Sequence, residues 1–155
     1  MVIVVGSAHS GVGKTDLVCR LIERLENVCA VKCVVSDSTP EACLVLSKRE
    51  LEKEGKDTER YIAAGADRVV MARAPRNELH KIASMLDEIA NKYRYMIIEG
   101  NSIVTYVKPD HIIFIDDGSS AERTPGSRLV EAVCTLRLEA FDYDLETVIG
   151  SFERP

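Results

Sequence analysis

Gly6-Ser7-Ala8-His9-Ser10-Gly11-Val12-Gly13-Lys14-Thr15 is the stretch that decides how this chain is read. An apolar strand, Met1–Val5, runs into it, and Leu17, Val18, Leu21, Ile22 and Leu25 follow at helical spacing. A Gly-rich turn between strand and helix, ending in Gly-Lys-Thr, is the context of a Walker A phosphate-binding loop. Gly11 and Gly13 allow backbone conformations that turn several N–H groups inward as an anion nest, and the following helix adds its positive end. His9, Ser10, Gly11, Val12, Gly13, Lys14, Thr15 and Asp16 are therefore the candidate nucleotide-binding residues. Lys14 is expected to reach the β- and γ-phosphates and to act in catalysis, and the Thr15 hydroxyl to ligate Mg²⁺. The strict motif has glycine where Ala8 stands, and alanine is small enough to replace it. A dinucleotide fingerprint fits less well, although Asp37 stands where a ribose-binding acid would. Its third glycine is missing after Gly11-Val12-Gly13, and Lys14 would have no role in that turn.

Outward from the loop, short β-branched runs alternate with amphipathic stretches. Val28–Val35, Arg68–Ala72, Tyr95–Ile98 and His111–Ile115 read as further strands. Leu79, Ile82, Ala83, Leu86, Ile89 and Tyr93 share one face of a helix, and a last helix is expected to carry Leu129, Val130, Val133, Leu136 and Phe141. Strands buried on both faces and separated by helices imply an α/β three-layer sandwich with a mostly parallel sheet, the P-loop NTPase fold. One nucleotide-binding domain over residues 1–155 is expected.

Residues 39–65 are harder to read. Thr39 with Pro40 at N1 suits a helix start, while Ala42–Leu46 reads equally as a short strand. Eight of the ten residues from Lys48 to Asp57 are charged with mixed signs, which reads as a solvated face. Asp57 is then expected to cap a short helix, Thr58–Ala64, that stops at Gly65.

Composition narrows the function classes. The 155 residues carry 25 acids against 20 bases, a net charge of -5, which argues against a nucleic-acid partner needing a basic face. Aromatics are 5% and Trp is absent, so single-strand stacking platforms are scarce. No apolar run exceeds five residues, so no membrane span is expected. Nor does the opening strand leave room for a signal peptide, and the expected location is cytoplasmic. The five cysteines, an odd number, then read as reduced, small buried hydrophobes rather than a metal site at Cys33 and Cys43. Cys29 and Cys33, four apart on a strand, should share a face.

A second acidic element is Met96-Ile97-Ile98-Glu99-Gly100, with the form of a Walker B strand. In a parallel sheet Glu99 falls on the same edge as the phosphate loop, where it would hold Mg²⁺ or orient an attacking water as the second catalytic residue. Gly100 is placed to let its N–H approach the γ-phosphate. His9 stands where one class of dimeric ATPases carries a second signature lysine, and reads here as a solvent-exposed loop residue. No NKxD guanine-reading motif exists; Asp116 and Asp117 lie where such an acid would be, or in a solvated loop. Arg123 and Arg128, around a Thr-Pro-Gly turn, are candidates for a mobile lid.

Three motifs in order, the GSAHSGVGKT loop, GKDTERYIAAGA over residues 55–66 and the YRYMIIEG strand, give a resemblance to the MobB family, molybdopterin-guanine dinucleotide biosynthesis protein B. It spans roughly residues 1–115. The resemblance implies a homodimer that binds GTP with Mg²⁺, hydrolyses it slowly and assists a molybdopterin guanylyltransferase partner. It matches Lys14 and Thr15 to the family's phosphate and metal residues, and Asp57 and Arg60 to its KD[ST]xR segment. Lys32 is retained from the family pattern, whereas Cys33 replaces a histidine and Glu99-Gly100-Asn101 replaces an EGF-type ending. Two rival functions stay open: an ATP-dependent small-metabolite kinase or ligase, and a non-catalytic nucleotide-sensing adaptor.

Overall fold

The structure, a computed structural model, describes residues 1–47, 49–51 and 56–153. Its elements in chain order are β1 (Val2–Ser7), α1 (Lys14–Arg24), β2 (Val28–Val35), β3 (Cys43–Val45), α2 (Lys56–Ala63), β4 (Arg68–Ala74), α3 (Leu79–Ala90), β5 (Tyr95–Glu99), β6 (His111–Asp116), α4 (Pro125–Val133), β7 (Leu136–Glu139) and α5 (Leu145–Ser151). The strands form one sheet in the order β3-β4-β2-β5-β1-β6-β7, parallel throughout except for the antiparallel edge strand β3. The expected α/β three-layer architecture is present.

Period-two alternation along each strand divides the core between two layers. Ile3 and Val5 of β1 join Leu17, Val18 and Leu21 of α1, Tyr61 of α2 and Val148 of α5 on one face. Val4 points the other way, into Leu79, Ile82 and Leu86 of α3 and Val130 of α4. Cys29 and Cys33 lie on that second face together, as their spacing requires, and the five cysteines are unpaired. Burial pushes the Cys33 thiol up to about 12, so it behaves as a small apolar side chain.

Three expectations need correction. Residues 36–42 form a turn rather than a helix started by Thr39, and the strand alternative is realised as β3. The last helix stops at Val133: Leu136 opens β7 and Phe141 lies in the turn beyond. Leu136-Arg137-Leu138-Glu139 alternates at period two, a strand signal that the helical reading overrode. Asp57 lies inside the first turn of α2 and not at its cap. The glycine stop does hold: Gly65 has φ +92°, and the Ala66 and Gly65 N–H groups close a Schellman motif on the Tyr61 and Ile62 carbonyls. Half of the charged run after Ser47, residues 48 and 52–55, lies outside the described residues.

Candidate functional site

β1 and β5 pair in register, Val5 opposite Glu99, so the phosphate loop leaving β1 and the acid ending β5 emerge at one edge. Gly11 and Gly13 hold φ of +84° and +96°, the left-handed conformations the nest reading required. Val12 turns its side chain into the core and offers the loop only its backbone. The loop is fastened from below by two residues that sequence reasoning did not single out for this. The Asn101 amide pairs with the Ser7 backbone, accepting from its N–H at 2.9 Å and donating to its carbonyl at 3.0 Å. The fully buried Ser127 hydroxyl reaches the Ser7 and Ala8 carbonyls at 2.8 and 2.9 Å. Thr124 and Pro125 start α4 and so aim Ser127 at the loop.

The cleft above the loop encloses about 510 Å³. It is lined by Ser10, Gly11, Gly13, Lys14, Thr15, Asp16, Lys32, Asp57, Arg60, Glu99 and Phe141. The structure thus brings together all but His9 and Val12 of the predicted site residues. Lys14 Nζ donates to Ser7 Oγ at 2.7 Å. Burial pulls its ammonium below the ordinary lysine range, Glu99 opposes this, and Lys32 adds to it.

Glu99 is only 1% exposed, and its carboxylate is the hub of the site. Thr15 donates to Oε2 at 2.9 Å, the buried Tyr61 hydroxyl donates to the same oxygen, and Lys32 Nζ pairs with Oε1. The β2–β5 register sets Lys32 directly opposite Glu99. Lys32 also reaches Asp57 Oδ2 at 2.7 Å, so α2 is tied to the sheet through a charge relay of Asp57, Lys32 and Glu99. Burial lowers the Lys32 ammonium, but Glu99 and Asp57 outweigh it and hold it above the ordinary value. Burial raises the Asp57 carboxyl, and its bond to Lys32 more than reverses this. Tyr61 is pushed up, by burial first and the Glu99 charge second. Arg60 meets Asp16 of α1 at 3.3 Å, both half exposed.

Four assignments change. Gly100 donates its N–H to the Val5 carbonyl at 3.1 Å, and packs where a Cβ would stand 3.1 Å from Cys33; that N–H is committed to the sheet. Asp116 is buried and pairs with Arg123 at 2.8 Å and with Arg137, so it closes an ion cluster with Glu131 instead of reading a base. Arg123 is fixed in that cluster and is no lid; Arg128 stands outside it, 3.7 Å from Glu122. His9 is half-buried rather than solvent-exposed, hydrogen-bonded to Ser119 at 2.6 Å and 3.5 Å from Asp117.

Lys32 and Tyr61 escaped the sequence-based site set. Lys32 carried a signal: a lone charge inside the apolar run Val28–Val35 must find a buried partner. Tyr61 carried none beyond its place on an amphipathic helix.

Among the described residues no helix is long and apolar enough to cross a membrane, and no cluster of three His, Cys, Asp or Glu groups could hold a metal ion. No curated protein and no solved structure matches the chain. A family model does: MobB, Molybdopterin guanine dinucleotide synthesis protein B, matches residues 1–104. Those residues include the phosphate loop, Lys32, Asp57, Arg60, Tyr61 and Glu99, and with two thirds of its length matched the chain belongs to the MobB family, nucleotide-binding proteins of molybdenum-cofactor synthesis.

Proposed function

We propose that the chain is one nucleotide-binding domain that takes GTP with Mg²⁺ and hydrolyses it slowly in support of molybdopterin guanine dinucleotide synthesis. The observation that carries this is the convergence of Lys14, Thr15 and the Glu99–Lys32–Asp57 relay in one cleft, on a chain of that family. Gly11 to Thr15 supply the N–H cradle and Lys14 the cation for the phosphates. Thr15, Glu99 and Asp57 form an all-oxygen donor set, which suits Mg²⁺. Thr15 would hold the ion directly. Glu99, already accepting from Thr15, Tyr61 and Lys32, would act on its water shell. The ion, when bound, neutralises charge on the phosphates. A homodimer, a guanylyltransferase partner and a cytoplasmic location belong to the same reading and rest on family membership.

A second reading, phosphoryl transfer to an acceptor, is favoured by one feature. A cleft of about 360 Å³ adjoins the first across Lys14, lined among others by His9, Lys32, Arg76, Ser102 and Thr124. Phosphate release from Mg²⁺–GTP separates the two. Slow release unaffected by anionic acceptors supports the first reading. Acceptor-dependent loss of the γ-phosphate, with GTP or ATP, replaces it with the second.

A further inference from the structure

Phe141 is the most exposed large apolar side chain among the described residues, 71% exposed. It lines the nucleotide cleft, and its ring lies 3.0 Å from where a Cβ on Gly13 would stand. Its backbone is unusual as well. Asp142 N–H closes a four-residue turn on the Glu139 carbonyl at 3.2 Å, and Phe141, third in that turn, has φ +62°. Glycine is the favoured residue there, so phenylalanine at this position runs against both solvation and backbone preference.

The turn is anchored on both sides. Ala140 N–H donates to the Asp116 carbonyl at 2.7 Å. Arg20 of α1 stacks on the Tyr143 ring at 5.0 Å, and Asp144 caps α5. An exposed aromatic face is thereby held in a fixed place at the rim of a phosphate cradle. The loop would take the phosphate end of a ligand; beside Gly13 the polar lining of the same cleft gives way to the flat apolar ring of Phe141. A nucleotide presents these two chemistries in the same order, charged tail and flat aromatic base.

We infer that Phe141 is the platform on which the base of the bound nucleotide stacks. The inference rests on the nucleotide reading above and adds to it the group that holds the base. A stack engages the π-face that every base has, so Phe141 gives affinity for GTP and ATP alike and leaves their discrimination to other groups.

The test compares ligands with and without a base. Mg²⁺–GTP, Mg²⁺–ATP and Mg²⁺–tripolyphosphate are titrated into the wild-type chain, Phe141→Ala and Phe141→Trp. Phe141→Ala should weaken both nucleotides about five- to 150-fold, the range expected for a lost base–aromatic stack, and Phe141→Trp should restore them. Tripolyphosphate should bind all three within about twofold of one another, since it makes no stack. Phe141→Gly should melt no lower than wild type, because glycine accepts the turn, while binding nucleotide as weakly as Phe141→Ala. Unchanged nucleotide affinity in Phe141→Ala overturns the inference. So does an equal loss for tripolyphosphate, which would mean that the ring acts by shaping Gly13. Failure of tripolyphosphate to bind the wild-type chain would overturn the phosphate-site reading itself, and the stack with it.

Discussion

Lys32→Met removes one charge from the centre of the site and leaves the buried Glu99 carboxylate without its ion-pair partner. Removing one partner of a buried pair costs about 3–5 kcal/mol, because the remaining charge stays desolvated. Here Lys32 is 19% exposed and Asp57 40%, so the Asp57 half of the relay has the weight of a surface pair, under about 1 kcal/mol. Glu99 also keeps its bonds from Thr15 and Tyr61. The lower end applies, about 3 kcal/mol, or a fall in melting temperature of about 6–12 °C for a chain of this length. Pairing the change with Glu99→Gln removes both charges, and the double variant should recover more than half of the loss. The cycle's coupling term should exceed about 1.5 kcal/mol. The pH dependence has a definite sign. Lys32 binds its proton more tightly in the fold than in the unfolded chain. Its stabilisation is therefore complete below the ordinary lysine value and lost as pH rises through the folded one, so wild type and Lys32→Met should converge at strongly alkaline pH. Urea unfolding of the four proteins reads all of this. A loss under about 1 kcal/mol in Lys32→Met, or additivity in the cycle, would refute the reasoning.

Ser127→Ala removes the hydroxyl donor from the Ser7 and Ala8 carbonyls in a fully buried site, leaving Ser7 only its bond from Asn101, and should cost about 1–3 kcal/mol by denaturant unfolding while weakening nucleotide binding through a loosened loop. Unfolding within error of wild type would show that the serine does not fasten the loop. Burial, opposed by Glu99 and helped by Lys32, holds the Lys14 ammonium low, and arriving phosphates raise it. Nucleotide binding should then take up protons around the lowered free-site value, with affinity falling as pH rises through it. Titrations in buffers of different ionisation enthalpy check this, and identical apparent enthalpies would exclude it.

The phosphate loop, the parallel sheet and the Glu99 edge were legible because each rests on local pattern: a Gly-rich turn, runs of β-branched residues, an acid at a strand end. What escaped depends on contacts between distant segments. Lys32 meets Glu99 only through the β2–β5 register, and Ser127 reaches Ser7 across 120 positions of sequence. The failed helix at Thr39 had good capping chemistry, yet Cys43-Leu44-Val45 pairs with Arg73-Ala72-Met71 at the open edge of β4, and the tertiary pairing prevails. Asp116, expected just after the sixth strand, is its last residue, and two arginines take its carboxylate.

Calorimetric titration of Mg²⁺-loaded wild type and Lys14→Ala with GTP, and separately with ATP, tests the central claim most directly. The account predicts saturable binding that prefers GTP, lost in Lys14→Ala while that variant melts as a folded protein. Equal affinity in wild type and Lys14→Ala would contradict it.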